Sequence, residues 1–386
     1  MKIGKKLVLK TAVVNLICIG SLTIAFLMFT KSQISIMACE NARSIAENSG
    51  NKISAWFGSY MSEVRAVGQI MSHAEAVNRE DRRTVFNSML QSIAEENPEL
   101  LAVWAVFEPD ALDDMDAEFV NTPGTDATGR FISIFSRENG SVSLAAATGY
   151  NNEGAKGDYY FVSFRSGNEA IIEPYYYVIN GTPRLITSLT IPVKQDEKII
   201  GVVGVDIELA EIQKLTEAIK PFGAGDAAVF SNGGLVAAHP DPERLGRDMR
   251  ETERDTAGSY LPEMVEAVRL GNDLIFQNYW AKANSDMLIA LNPINVGYSM
   301  TPWSFAVSVP VKTIMAPVYR MTSILIALGV FMLGILTIII FFAARFKIDQ
   351  PEACEAAARD NKLKPRRTRG WLFKKEVSRQ SSQAAN

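Results

Sequence analysis

Two uncharged apolar runs bracket this chain, residues 11–30 (TAVVNLICIGSLTIAFLMFT) and 321–344 (MTSILIALGVFMLGILTIIIFFAA). Each reaches the roughly 20 residues that a helix needs to cross the hydrocarbon core of a bilayer. Lys2, Lys5, Lys6 and Lys10 precede the first run. Arg345 and Lys347 follow the second, and Lys362, Lys364, Arg366, Arg367 and Arg369 come later. Basic flanks stay on the cytoplasmic side of a membrane. This reading puts a short N-terminus (1–10) and a basic tail (345–386) inside, two transmembrane helices at 11–30 and 321–344, and everything from 31 to 320 outside. A cleaved signal peptide has an apolar core of about 7–15 residues followed by small residues. The first run is longer and continues into helical sequence, so it reads as an uncleaved anchor. A large outer segment between two spans is a receptor layout rather than a channel layout.

Composition agrees with this division. Of 386 residues 47% are hydrophobic and 21% charged, too polar for a polytopic transporter. The net charge of -4 gives no basic surface for nucleic acid. Of the three cysteines, Cys18, Cys39 and Cys354, only Cys39 falls in the outer segment, which excludes a disulfide framework and a four-cysteine zinc site. Cys39 reads as a free thiol on a helix, with a bridge to a second copy as the alternative.

The outer segment opens on a long helical stretch, 31–73, without proline. Ile45, Ile53, Trp56, Tyr60, Val64, Val67 and Met71 recur on one face. A helix continuous with a span is a stalk (31–80), packing on its own domain and, through another face, on a second subunit. A short helix at 82–96 ends before Pro98. The period then changes to short β-branched and aromatic runs at 101–107, 131–135, 170–172, 175–179, 184–192 and 198–207, separated by turns such as Asn180-Gly181. After a helix at 209–219 a second set follows: 227–230 and 235–238 around Asn232-Gly233-Gly234, a helix at 260–270, and strands at 273–280, 287–292 and 303–309. The fold class is therefore α+β. A long N-terminal helix precedes two successive antiparallel-sheet modules, distal (81–208) and proximal (222–312).

Particular residues then carry a family resemblance. Glu173-Pro174-Tyr175-Tyr176-Tyr177, Thr187-Ser188, Ile191-Pro192-Val193 and Gly201-Val202-Val203-Gly204-Val205-Asp206 resemble the membrane-distal module of a double Cache (dCache_1) sensor domain. Glu108-Pro109-x-Ala111, Gly129-Arg130-Phe131 and Gly157-Asp158-Tyr159-Tyr160 fit the same pattern. Ser231-Asn232-Gly233-Gly234, Ala238-His239-Pro240-Asp241, Leu245-Gly246 and Pro302-Trp303 resemble the membrane-proximal module. The resemblance covers about 31–317. It implies PAS-like sheets, a small-molecule pocket in the distal module, a homodimer, and most often a methyl-accepting chemotaxis protein of the bacterial inner membrane with its sensor in the periplasm. Other receptors or chemotaxis signalling proteins are its implied partners. The sensor part of a histidine kinase or cyclic-dinucleotide enzyme is the alternative, and a membrane-anchored periplasmic enzyme a third reading.

A pocket that holds a ligand without covalent chemistry needs aromatic walls and a few fixed polar groups. The distal module offers Trp104, Phe107, Phe131, Phe135, Tyr159, Tyr160, Tyr175 and Tyr177 as walls and hydroxyls, with Asp158 and Asp206 as carboxylates. Strand alternation turns Tyr175 and Tyr177 one way and Tyr176 the other. Many amino-acid-binding members of the family carry Arg-x-Trp-Tyr, whose arginine grips the ligand carboxylate while a later aspartate grips its ammonium. Here Gly157 stands at the arginine position, and Tyr160, Tyr175 and Asp206 match the remaining positions. The bidentate carboxylate clamp is lost, and the resemblance points to a purine-like or amine ligand, with an amino acid as the alternative. Arg130 restores an anion contact if it turns inward, and otherwise forms a surface ion pair.

Catalytic motifs are missing. His73 and His239 are the only histidines and fall in different predicted parts. No Ser-His-Asp set, HExxH, P-loop or dinucleotide fingerprint is present, so the reading is neither an enzyme nor a cofactor protein. Asp110, Asp113, Asp114 and Asp116 form an acidic loop without the EF-hand spacing, read as solvated rather than calcium-binding. Residues 346–358 resemble the start of a HAMP helix, and the rest of the tail is basic and polar. The expectation is a disordered or membrane-surface tail without an output domain.

Overall fold

A computed structural model describes residues 2–346 apart from Asn139, Glu153, Ala155, Asn180 and Gly181. The Asn180-Gly181 turn and the tail from residue 347 lie outside the described residues. The model divides into two units, and the described part of one comprises residues 2–26 and 322–346. The other, Leu27–Met321, holds both sheets. Among the described residues two helices are long and apolar enough to cross a membrane, within Val13–Ser72 and Val311–Phe342.

Helix α1 (Lys2–Ser72) contains no proline, so nothing breaks its hydrogen-bond ladder. Beyond the membrane-length part it buries Ile53, Phe57, Tyr60, Met61, Val64, Val67 and Met71. Ile45 and Trp56 of the expected stripe are only partly buried, at its edge.

After α2 (Arg82–Glu96) the distal sheet is built from β1 (Leu100–Phe107), β2 (Ser133–Glu138), β3 (Ser141–Ala146), β4 (Ala170–Ile171), β5 (Tyr175–Ile179), β6 (Thr182–Gln195) and β7 (Lys198–Glu208), with α3 (Asp158–Ser166) before β4. The strand order is β3-β2-β1-β7-β6-β4, β5 pairs with β6, and all pairs are antiparallel. β3 and α3 add to the elements expected from the sequence. β3 alternates exposed and half-buried residues with few large apolar side chains. α3 is only nine residues, and four of them are aromatic residues of low helix propensity.

The centre of this sheet is buried on both faces, and β1 has no exposed residue. Alternation divides it cleanly. Val103, Ala105 and Phe107 join α1 in one cluster, and Ala102, Trp104 and Val106 join Tyr159, Tyr160 and Tyr150 in another. At Gly68 of α1 a Cβ would come within 3.2 Å of Val203 Cγ1, so this glycine lets the helix lie close on the sheet.

α4 (Leu209–Glu217) leads to the proximal module. Its sheet comprises β8 (Asp226–Phe230), β9 (Val236–Ala238), β10 (Leu274–Trp280), β11 (Ser285–Ile294) and β12 (Trp303–Pro310), in the antiparallel order β10-β11-β12-β8-β9. α5 (Met249–Thr252), α6 (Arg254–Ala257) and α7 (Leu261–Leu270) fall between β9 and β10. Again one sheet face (Val229, Leu288, Ala290, Phe305, Val307) packs in the α1 cluster, and the other (Ala228, Phe230, Met287, Ile289, Ala306) packs under α7. α8 (Val311–Phe346) completes the described chain.

The acidic loop has a structural partner. Arg83, 5% exposed, donates to Asp113 from Nε at 2.6 Å and from Nη2 at 3.0 Å, and to Asp116 at 2.6 Å. Two of the four aspartates thus share one buried cation. No cluster of metal-ligating side chains occurs among the described residues.

Candidate functional site

The distal cavity, about 30 Å³, lies on the sheet face turned away from α1. It is lined by Trp104, Ile134, Ala147, Thr148, Lys156, Tyr159, Tyr175, Tyr177 and Asp206. Strand pairing assembles its floor. Asp206 on β7 sits opposite Ser188 on β6 and Ala102 on β1, and Trp104 pairs with Gly204 one alternation step away. All of these side chains project from one face. Tyr175 enters from β5, whose short pairing with β6 leaves Tyr176 and Val178 on the exposed side.

A chain of hydrogen bonds holds the floor. Trp104 Nε1 donates to Asp206 Oδ1 at 2.9 Å, and Ser188 Oγ donates to the same oxygen at 2.6 Å. The Tyr175 hydroxyl and Ser188 Oγ are 2.8 Å apart. Tyr159 stands edge-on to Trp104, with ring centroids 4.8 Å apart and planes at 84°, and its hydroxyl donates to the Thr148 carbonyl at 2.9 Å. Both side-chain hydrogen bonds recorded for Asp206 fall on one oxygen, Oδ1.

Burial sets the electrostatics. Asp206, 4% exposed, has its pKa pushed up to about 6 by desolvation, against the lowering effect of the Ser188 and Trp104 hydrogen bonds. Desolvation, then the nearby Asp206 charge, pushes the Tyr159 and Tyr175 hydroxyls well above their ordinary value, so both stay protonated at neutral pH. An aromatic enclosure around one buried carboxylate can take up a cation with two favourable terms, charge pairing and the negative faces of the rings.

The structure brings together five of the sequence-selected residues, Trp104, Tyr159, Tyr175, Tyr177 and Asp206, and separates five others. Phe107, Phe131 and Phe135 pack in the α1 cluster on the opposite face. Trp104 and Phe107 are three apart on one strand, and an odd spacing sends them to opposite sides. Asp158 stands half-buried in the first turn of α3 and does not line the cavity. Tyr160, one residue along α3 from Tyr159, points away from the cavity, to Glu108 and Arg130. Arg130 is neither a surface ion pair nor a cavity residue. At 8% exposure it donates to Glu108 at 2.8 Å, to the Phe107 carbonyl and to the Tyr160 hydroxyl, and lies over the Tyr150 ring at 4.8 Å. Ser188, Ile134, Ala147, Thr148 and Lys156 were not selected. Strand parity with Asp206 and Tyr175 identifies Ser188, while Thr148 and Lys156 belong to a loop with no periodic signal.

Residues 31–318 match the family model described as Cache domain (dCache_1). Among curated proteins, the methyl-accepting chemotaxis protein TlpQ of Pseudomonas aeruginosa is 28% identical over 252 residues, covering 61% of this chain and 34% of TlpQ. The chain thus spans about one third of that relative's length. Among solved structures, the extracellular domain of mmHK1S-Z3, which is assigned as a histidine kinase, superposes with a TM-score of 0.64 at 25% identity, over 74% of this chain and 98% of that one. A structure of Methyl-accepting Chemotaxis protein X gives a TM-score of 0.57 at 26% identity, over 73% and 99% of the two chains.

Proposed function

The chain belongs to the dCache_1 family of Cache domains, and from that premise we propose that it is a membrane-bound chemoreceptor-type sensor whose distal module binds a small amine. Residues 31–320 stand outside the inner membrane in this reading. The observation that carries the ligand class is the buried Asp206 carboxylate enclosed by Trp104, Tyr159, Tyr175 and Tyr177. An ammonium or a protonated heteroaromatic N–H meets both the carboxylate and the ring faces there. A carboxylate ligand meets an acid and two neutral hydroxyls instead. A purine-like base offering N–H donors shares the same chemistry but requires the distal cavity, about 30 Å³ in this structure, to open.

An amino acid is the second reading, favoured by one observation: Lys156, exposed at the cavity mouth, adds a cation that a ligand carboxylate could pair with. Similarity to both a chemotaxis protein and a kinase-type extracellular domain supports ligand sensing equally for either output. In this mechanism ligand selects one conformation of the distal module and the bias passes through the proximal module to α8.

A thermal-shift panel on the full chain in lipid nanodiscs, with amines, purines and amino acids, tests the reading, because a ligand of the folded state raises the melting temperature. Saturable stabilisation by an amine that disappears in Asp206→Asn is expected. Stabilisation by amino acids alone, abolished in Lys156→Ala, would replace amine binding with the second reading.

A further inference from the structure

The proximal module encloses a cavity of its own, of about 70 Å³, larger than the distal one. It occupies the corresponding place, on the sheet face turned away from α1 and beneath α6 and α7. Its apolar walls include Phe230, Met264, Met287 and Ile289, and its polar lining combines the acids Asp226 and Glu253 with Arg244, His239, Thr256, Trp280 and Ser308. Thr256 is 8% exposed, and both its hydroxyl and the Trp280 indole Nε1 are buried without a hydrogen-bond partner. Buried polar groups in native folds are nearly always paired, so two orphans on one cavity wall point to a missing acceptor.

Two of the remaining polar residues, His239 and Arg244, are also donors. The Asp241 backbone N–H donates to His239 Nδ1 at 2.8 Å, which leaves the proton on Nε2 as a further donor. Burial holds the imidazole below its ordinary pKa, hence neutral. Arg244 is the cavity's one cation, its side chain 15% exposed. It donates to Glu253 from Nη1 at 2.7 Å, and its Nε lies 3.5 Å from Asp241 Oδ2. A guanidinium carries five N–H donors, more than these two acceptors use. Asp226, the other acid on the wall, is exposed and paired with Lys220.

We propose that this cavity is a second ligand site, independent of the distal one, taking a short-chain monocarboxylate of roughly three to five non-hydrogen atoms, as befits a space about half that of an engineered cavity which holds benzene. Its carboxylate accepts from Trp280, Thr256 and Arg244, and its short alkyl body packs on Met264, Met287 and Ile289. The site lies in the module next to α8, so occupancy there can bias the same transmission path without passing through the distal cavity.

The test uses the full chain in nanodiscs with acetate, propionate and butyrate against chloride at equal ionic strength, read by melting temperature and by calorimetric titration. Acetate or propionate should bind saturably, with undiminished affinity in Asp206→Asn. Thr256→Val, which keeps shape, and Trp280→Phe, which keeps an aromatic ring, remove one donor each and should weaken it at least tenfold. Arg244→Gln should abolish it, and wild-type melting behaviour of the two conservative variants keeps the result interpretable if Arg244→Gln fails to fold. Three outcomes overturn the proposal: no saturable binding, binding unchanged in both conservative variants, or binding lost in Asp206→Asn. Equal affinity for propionamide overturns the carboxylate assignment.

Discussion

The Trp104 indole occupies the space that any side chain on Gly204 would need: a Cβ there would fall 2.4 Å from the indole Cζ2 and 2.8 Å from Cε2. The two residues are register partners on adjacent strands. The glycine lets the ring lie flat across β7 and reach Asp206 two residues along.

Gly204→Ala should therefore displace the indole and break its hydrogen bond to Asp206. Overpacking of this kind costs about 1–3 kcal/mol. Urea unfolding should show a loss in that range, and ligand affinity should fall at least tenfold. Unchanged stability and affinity would mean that the ring has another resting place.

Asp206 gives the protein a pH signature. Its folded pKa of about 6 lies above the ordinary 3.8, so the folded state holds this proton more tightly than the unfolded chain does. Stability without ligand should fall as pH rises from about 4 to about 6, by on the order of 2–3 kcal/mol from this group alone. Asp206→Asn should flatten that part of the stability curve. Amine affinity should run the other way, rising with pH through about 6 as the carboxylate forms. A binding profile that is level between pH 5 and 7 would contradict this.

Ser188→Ala removes a donor that favours the charged form of Asp206. The midpoint for amine binding should move to higher pH, while the melting temperature changes by only a few degrees. Tyr175→Phe, which alters the partner of Ser188 rather than of Asp206, should shift that midpoint less.

Arg83 bridges two buried carboxylates, Asp113 and Asp116. Arg83→Met leaves both without their cation, and breaking a buried pair in this way costs about 3–5 kcal/mol. Calcium should not rescue the variant, since the aspartates serve the arginine. A melting curve with and without calcium decides.

Between the modules, Glu173 accepts hydrogen bonds from the Gly233 backbone N–H at 2.8 Å and from the Ser231 hydroxyl, two residues before Tyr175 of the cavity. A Cβ on Gly233 would come within 2.8 Å of Glu173 Oε2. Gly233→Ala and Glu173→Gln should leave ligand affinity within about threefold but reduce the ligand-induced protection of β8 and β9 amides in hydrogen exchange. Full protection in both variants would route the coupling elsewhere, for instance through the Arg65–Glu169 pair, which is joined to Tyr298 by that residue's backbone N–H.

Features that depend on periodicity and run length are legible in the sequence alone. Two uncharged stretches of membrane length, a helical stripe from Ile53 to Met71, and β-branched runs interrupted by turn residues are local signals, and each is set by a chain's own geometry. The α+β class and the two-sheet order follow from them. Which aromatic residues share a cavity depends on the packing of the folded chain. Tyr159 and Tyr160 are adjacent in sequence, yet one lines the distal cavity and the other pairs with Glu108, because they leave α3 about 100° apart. Phe107 and Trp104 sit on one strand and face opposite layers. A composition of aromatic and acidic residues carries no record of which face is covered by α1. The partners of Arg83, Arg130 and Glu173 lie 22 to 60 residues away in sequence, and only the folded chain brings them within hydrogen-bonding distance.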